Sequence, residues 1–187
     1  EYRLYDHPIN CSEEQTPLDF YGAAKAASRH MLDVLARQME MPFIWAVLSS
    51  VYGEGSGDNN IIVYTVKELL AGRKPRFGPL TQMWDFLYIT DVVRALRMLG
   101  EKAVGGRTYG IGSGRYAPLR EYVTKVRDMI DPKLELGIGE LSDHRSVFSS
   151  CVETYDLKKD TGFCPEVSFE DGIRKMIDFY KTVGKRQ

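Results

Sequence analysis

This chain has little of what marks a specialised class. Its three cysteines, Cys11, Cys151 and Cys164, are an odd number without C-x-x-C spacing, which argues against a disulfide framework or a zinc site. His7, His30 and His144 are scattered, none with a second ligand at metal spacing. Charge of one sign is also missing. The 25 basic and 26 acidic residues are interspersed and leave a net charge of -1, so nothing pulls the whole molecule toward nucleic acid or an anionic membrane. Any anion must be bound locally. No apolar run approaches the roughly 18 residues of a membrane span, and the start, Glu1-Tyr2-Arg3-Leu4-Tyr5-Asp6, has neither a Met nor a signal-peptide pattern. The expectation is a reduced, cytoplasmic protein with no nucleic-acid or membrane partner, its sequence reading like the interior of something longer.

What is present suits one good core with a small annex: 187 residues, 43% of them hydrophobic. Thr16, Pro17 and Asp19 resemble a capped helix start. From Tyr21 one face of that helix collects Ala24, Lys25, Ser28, Met31, Leu32, Leu35 and Met39, which predicts packing against a core. Met41-Pro42 ends it, and Phe43–Leu48 is a nearly continuous apolar run, the signature of a strand covered on both faces in a parallel sheet. Helix followed by buried strand points to an α/β architecture. A glycine-rich polar loop, 49–60, then leaves the strand's carboxyl end, where such folds put their ligands.

Further on, Ile62, Val66, Leu69 and Leu70 predict a helix ending near Gly72. Pro75–Gly78 and Phe86–Ile89 are short extended pieces, and Asp91 is expected to cap a helix carrying Val92, Ala95, Leu96 and Leu99. Thr108–Gly112 reads as a second strand and Pro118 as the opening of a helix with Leu119, Tyr122, Val123, Val126 and Ile130. Leu134–Ile138 alternates like a half-buried strand, and Ser168 with Asp171 caps a last helix with Phe169, Ile173, Met176, Ile177 and Tyr180 inward.

The chemistry concentrates at Tyr21 and Lys25. Positions i and i+4 project from one helix face, so a phenol and an ammonium can act on one small molecule. A phenol is a poor base at neutral pH unless a nearby positive charge stabilises the phenolate, and Lys25 supplies one. Taken alone, Y-x-x-x-K is common in helices, where a packing Tyr beside a surface Lys is the ordinary reading.

An ordered series of matches changes that reading. Pro17–Lys25 has the form P-x-x-x-Y-G-x-x-K; Ser49-Ser50-Val51-Tyr52-Gly53, Asn59-Asn60-Ile61-Ile62, Phe77-Gly78 and Asp85-Phe86-Leu87-Tyr88-Ile89-Thr90-Asp91 follow, and Leu157–Pro165 resembles a late D-x-x-K-x-x-x-x-L-G-[WF]-x-P element. In order and spacing the chain resembles the extended short-chain dehydrogenase/reductase family, of the nucleotide-sugar epimerase and dehydratase type. The resemblance implies a fold: the carboxyl-terminal part of a Rossmann-like, doubly wound parallel sheet (about 16–52 and 86–130) with a small α/β substrate-binding lobe (about 53–85 and 131–187). It implies NAD or NADP as cofactor and a nucleotide sugar as substrate. Relatives often dimerise through the Tyr-bearing helix and its neighbour.

Roles carry over by position. Tyr21 would be the acid/base at a sugar hydroxyl, and Lys25 would hold the nicotinamide ribose and assist Tyr21. Leu48 and Ser49 would approach the nicotinamide carboxamide. Ser50 stands where many relatives have an Asn near the substrate diphosphate, and Asn60 with the amide of Ile61 would receive that diphosphate at a helix start. Pro75 and Phe77 would border the base. Trp84 replaces an Arg that reaches the diphosphate in many relatives, so Arg76 or Arg145 compensates or the ligand differs. Arg145 lies close to a second phosphate-binding Arg of the family.

One element is absent from these residues: the strand, G-x-x-G-x-x-G or G-x-G-x-x-G turn and helix that bind the dinucleotide, which belong upstream of the Tyr. Gly53–Gly57 and Gly110–Gly114 do not substitute, because Asp58 and Arg115 occupy the position of the final glycine. The missing amino-terminal half of the same protein is therefore an expected partner, and the 187 residues alone are expected to be inactive. Two other readings stay open, a non-catalytic nucleotide- or partner-binding module and a reductase of a non-nucleotide ketone.

Overall fold

Apolar residues recurring every three to four positions underlie five of the helices, with short aromatic and β-branched runs supplying strands between them. The computed structural model describes residues 8–11, 16–17, 19–142 and 151–184. In chain order these form α1 (Phe20–Gln38), β1 (Trp45–Leu48), β2 (Ser50–Tyr52), α2 (Ile61–Leu70), β3 (Arg76–Phe77), β4 (Met83–Trp84), β5 (Phe86–Tyr88), α3 (Ile89–Lys102), β6 (Thr108–Ile111), β7 (Ala117–Pro118), α4 (Leu119–Ile130), β8 (Gly137–Ile138), α5 (Tyr155–Thr161) and α6 (Phe169–Gly184).

Among the described residues, β1 pairs with β6, β2 with β5 and β3 with β8, all parallel, while β4 and β7 are antiparallel. Parallel neighbours need long crossovers, which the helices provide. The result is the expected α/β, Rossmann-like arrangement. Its register is specific: Trp45 lies beside Thr108 and Leu48 beside Ile111. Ile9, near the start of the chain, and Val152 form a parallel bridge, and the segment around Glu153 runs against β6 at Gly110. A Cβ at Gly110 would overlap the Glu153 carbonyl, so only glycine admits this crossing.

Two apolar clusters hold the elements. One gathers Tyr52, α2, Phe77, Phe86, Tyr88, α4 and α6. The other joins Leu87 and α3 to Tyr109 and Ile111 of β6 and to Leu157 and Phe163 around α5. In α2, Ile62, Val63 and Val66 are fully buried, each contributing roughly 1.5–3 kcal/mol by leaving water. In the first cluster the Phe169 ring meets Tyr122 at 4.8 Å and Tyr52 at 5.3 Å between centroids. Strand β5 belongs to both clusters, Phe86 and Tyr88 to one and Leu87 to the other, because alternate side chains leave a strand on opposite faces.

Several expectations need correction. The cap of α1 is Asp19, whose carboxylate accepts the Gly22 amide at 2.6 Å; the Thr16 hydroxyl is buried and has no hydrogen-bond partner among the described residues. The strand expected at 43–48 begins at Trp45 and is half-buried along most of its length, not covered on both faces. Asp91 is not a cap. Tyr88 holds that position, and Asp91, in the first turn of α3, accepts the Glu166 and Val167 amides at 3.0 and 2.9 Å and pairs with Arg94 at 2.8 Å. The expected strand 134–138 shortens to Gly137–Ile138, and α5 was not foreseen as a helix. The cap at Ser168 and Asp171 forms as expected: the Ser168 hydroxyl accepts the Asp171 amide and donates to its carboxylate.

Burial also sets an alkaline limit on stability. It pushes the Tyr116 phenol up to about 12 and raises Tyr52, Tyr88 and Tyr122 as well, burial being the largest cause in each case. A phenol raised in the folded chain keeps its proton while the unfolded chain loses it, so stability is full below about pH 10 and declines above it. Absorbance titration should show these four rings ionising cooperatively, with unfolding, and not as independent groups near pH 10.

Candidate active site

Tyr21 and Lys25 lie in the first two turns of α1, and the Lys25 ammonium sits 5.6 Å from the centre of the Tyr21 ring. The phenol is 72% exposed. Among the described residues the pair is therefore exposed rather than used in packing, with the ammonium over the ring.

The helix carrying them is turned the unexpected way. The residues that face the body are Gly22 and Ala26, buried, with Arg29, Asp33 and Ala36 half-buried, a stripe at helical spacing. The apolar stripe read from the sequence lies on the exposed surface: Met31 is 73% exposed, and Leu32, Leu35 and Met39 are exposed too. Periodicity identifies an apolar face but not what covers it, and small side chains at 22 and 26 let the other face approach the body closely.

At the carboxyl end of β1, Leu48 is exposed and Ser49 is buried, its amide donating to the Ile111 carbonyl at 2.8 Å. The Ser49 hydroxyl has no hydrogen-bond partner among the described residues. Ser50 opens β2, and its amide donates to the Asp85 carbonyl at 3.1 Å. Asn60 caps α2 by accepting the Ile62 amide at 2.9 Å and donates to the Val51 carbonyl at 3.0 Å, which ties the helix start to the strand that begins at Ser50. Asn60 thus stands beside β2, the strand that follows Ser49 and opens with Ser50.

The lobe residues are arranged differently. The Pro75 carbonyl accepts the Gly137 amide, and the Phe77 ring is buried against Tyr64 at 5.6 Å, a wall rather than a stacking surface. Trp84 is half-buried 6.3 Å from Phe86, its indole N–H buried without a partner among the described residues. Arg76 is held by Glu140 at 3.1 Å, and Lys74 takes the other carboxylate oxygen at 2.6 Å, so Arg76 is already engaged. Arg145 lies outside the described residues.

Asp85 carries a role that sequence reasoning missed. Completely buried, its carboxylate accepts the Ser113 amide at 3.0 Å, the Ser113 hydroxyl at 2.5 Å and the Gly114 amide at 3.2 Å. Burial pushes its carboxyl above the ordinary range while these donors pull it back. The signal available was only its place beside Phe86 in the D-F motif. A cleft of about 420 Å³ lies beyond this turn, between Arg115, Tyr116 and the 165–170 segment. None of the expected site residues lines it.

The family model of the NAD dependent epimerase/dehydratase family matches residues 4–112. The chain belongs to that family. It is 29% identical over 182 residues to a dTDP-glucose 4,6-dehydratase of Escherichia coli, the match covering 89% of this chain and 50% of the relative. A solved UDP-glucose 4-epimerase from Thermotoga maritima, with UDP-glucose, superposes with a TM-score of 0.86 at 22% identity, covering 97% of this chain and 59% of the other. The dTDP-glucose 4,6-dehydratase of Bacillus anthracis in complex with NAD gives 0.85 at 20% identity, over 96% and 57%. This member of the epimerase/dehydratase family spans about half the length of the curated relatives it matches. Among the described residues, no helix is long and apolar enough to cross a membrane.

The orientation of α1 is testable in the 187-residue chain. Met31→Glu and Leu35→Lys should each change stability by no more than about 0.5 kcal/mol, as surface substitutions do. Ala26→Leu should cost about 1–3 kcal/mol by overpacking. Urea unfolding followed by helical circular dichroism measures both.

Proposed function

We propose that the chain is the substrate-facing part of an NAD- or NADP-dependent nucleotide-sugar epimerase or dehydratase, a cytoplasmic enzyme in which Tyr21 is the acid/base. The observation that carries this reading is the exposed Tyr21 phenol with the Lys25 ammonium over its ring, inside the segment matched by the family model. The residues suit a nicotinamide ribose: an exposed ammonium and phenol on one helix face, and a buried Ser49 hydroxyl with its hydrogen-bonding capacity unspent. A bound nicotinamide supplies the acceptor for hydride leaving a sugar carbon.

The chain's own part is the proton. As the carbinol carbon loses hydride, Tyr21 as phenolate takes the hydroxyl proton, leaving a ketone, and it returns that proton when hydride comes back. Lys25 steadies the phenolate and holds the ribose hydroxyls. Leu48 and Ser49 border the carboxamide. Ser50, Asn60 and Ile61 serve the substrate diphosphate, helped by the amides at the start of α2. Pro75, Phe77 and Trp84 shape the nucleotide end, with Phe77 forming its floor, and Arg145 supplies the charge that Trp84 lacks. The two apolar clusters support a division that departs from the expected one at two helices, α4 going with the substrate lobe and α5 with the Rossmann-like part. The remaining half of the cofactor site, with its dinucleotide-binding turn, comes from residues beyond these 187, and a second copy of the protein covers the outward face of α1.

A second reading, a non-catalytic nucleotide sensor or a reductase of a non-nucleotide ketone, is favoured by one observation, an uncharged Trp84 with Arg76 already engaged by Glu140. In the full-length protein, Tyr21→Phe should lower turnover of its nucleotide sugar by roughly 10²–10⁴-fold with unchanged folding and NAD(P) affinity. Calorimetric titration together with turnover decides between the readings: binding without consumption supports the sensor, and wild-type turnover by the Phe variant removes Tyr21 from the mechanism.

A further inference from the structure

A buried carboxylate without a cation is costly, because an ionised group leaves water for a medium that solvates it poorly. Asp85 is such a group: completely buried, with no salt bridge at its oxygens among the described residues, and held by the Ser113 amide and hydroxyl and the Gly114 amide. What that arrangement achieves is geometric. The residue before it, Trp84, pairs with Ala117 in β4–β7, and the residue after it, Phe86, pairs with Ser50 in β2–β5. Its own carbonyl takes the Ser50 amide. Its carboxylate takes the turn that follows β6. One residue therefore joins the end of β4, which pairs with β7, to the start of β2 and to the turn after β6.

Gly112 makes this approach feasible. A Cβ there would overlap the Asp85 Oδ2 atom and would come to 3.3 Å from the Ser49 hydroxyl. Glycine at 112 leaves the space that the carboxylate fills, and it brings Ser49 to the same spot.

We propose that Asp85 is a positioning residue that clamps the 113–114 turn and the start of β2 together and so sets where Ser49 and Ser50 stand relative to the lobe bearing Trp84. Its consequence for catalysis rests on the nucleotide-sugar reading, since Ser50 is there the substrate contact. The clamp acts on substrate placement. Tyr21 and Lys25, on α1, keep their relation to each other when it is released.

Three variants of the full-length protein test this, in a graded order. Ser113→Ala removes one hydroxyl and leaves both amide bonds; Asp85→Asn turns one acceptor into a donor facing an amide; Gly112→Ala pushes the carboxylate out of place. Asp85→Asn and Gly112→Ala should raise KM for the nucleotide sugar at least tenfold with kcat within threefold, leave the dissociation constant for NAD(P) within twofold, and speed hydrogen exchange at the Ser50, Ser113 and Gly114 amides at least tenfold. Ser113→Ala should move the same quantities in the same direction by less. A folded Asp85→Asn with unchanged KM, or one that lowers kcat and raises KM equally, overturns the proposal. If Asp85→Asn does not fold, Ser113→Ala and Gly112→Ala decide it by the same criteria. If the wild-type protein turns over no nucleotide sugar, the functional reading fails on its own, and the clamp is then judged by exchange at the Ser50 amide and by the dissociation constants for uridine and thymidine diphosphate. Unchanged values in the variants refute it.

Discussion

The parallel ladder between β1 and β6 is the constraint on which the rest of the molecule depends. Its register, Trp45 beside Thr108 through Leu48 beside Ile111, requires everything between the two strands to leave the sheet and return in the same direction. That excursion carries β2 to β5 with α2 and α3. The ladder also puts Ser49 and Gly112 at adjacent strand ends, and the Ser49 amide prolongs it by one more bond to Ile111. The late segment carrying Val152 and Glu153 can lie along β6 only because Gly110 has no side chain. Helix α5 then closes over the same strand through Leu157.

The two apolar clusters meet at β5, and buried carboxylates secure the junction where apolar packing alone cannot. Asp91 satisfies the Glu166 and Val167 amides just before α6, fixing how that helix enters the first cluster. Gly172 completes the fit on the other side, since a Cβ there would run into the Tyr52 hydroxyl. The glycine weakens α6 locally and in return lets it lie directly on the aromatic group of the lobe.

Much of this was legible in the sequence because it is local. The stripes of α2, α4 and α6, that of α3 except for Leu96, which was expected inward and is exposed, the cap at Ser168 and Asp171, and the strands around Trp45 and Thr108 follow from spacings within one or two turns. Tyr21 and Lys25 were legible for the same reason, joined to an ordered set of motifs. What was not legible depends on distant partners. Asp91 has the composition of a cap but bonds residues 75 and 76 positions away. Asp85 meets its donors 28 and 29 positions away. Helix α5, seven residues long, is too short for periodicity to reveal. The apolar side of α1 was correctly identified, and its direction was misread because nothing local distinguishes a face that meets this chain's core from one that does not.

The small contact of α1 with the body has a thermodynamic consequence of its own. Most helical stability in proteins comes from packing of one face, and the two residues that α1 buries, Gly22 and Ala26, add little apolar surface to hold it. Local opening of α1 in this chain is therefore decoupled from global unfolding and draws on a far smaller free energy than the opening of β6 or α2. The phenol and ammonium ride on a helix that buries little surface among the described residues. Anything that settles on the outward face of α1 acts as an effector of their order, converting a fluctuating helix into a fixed one.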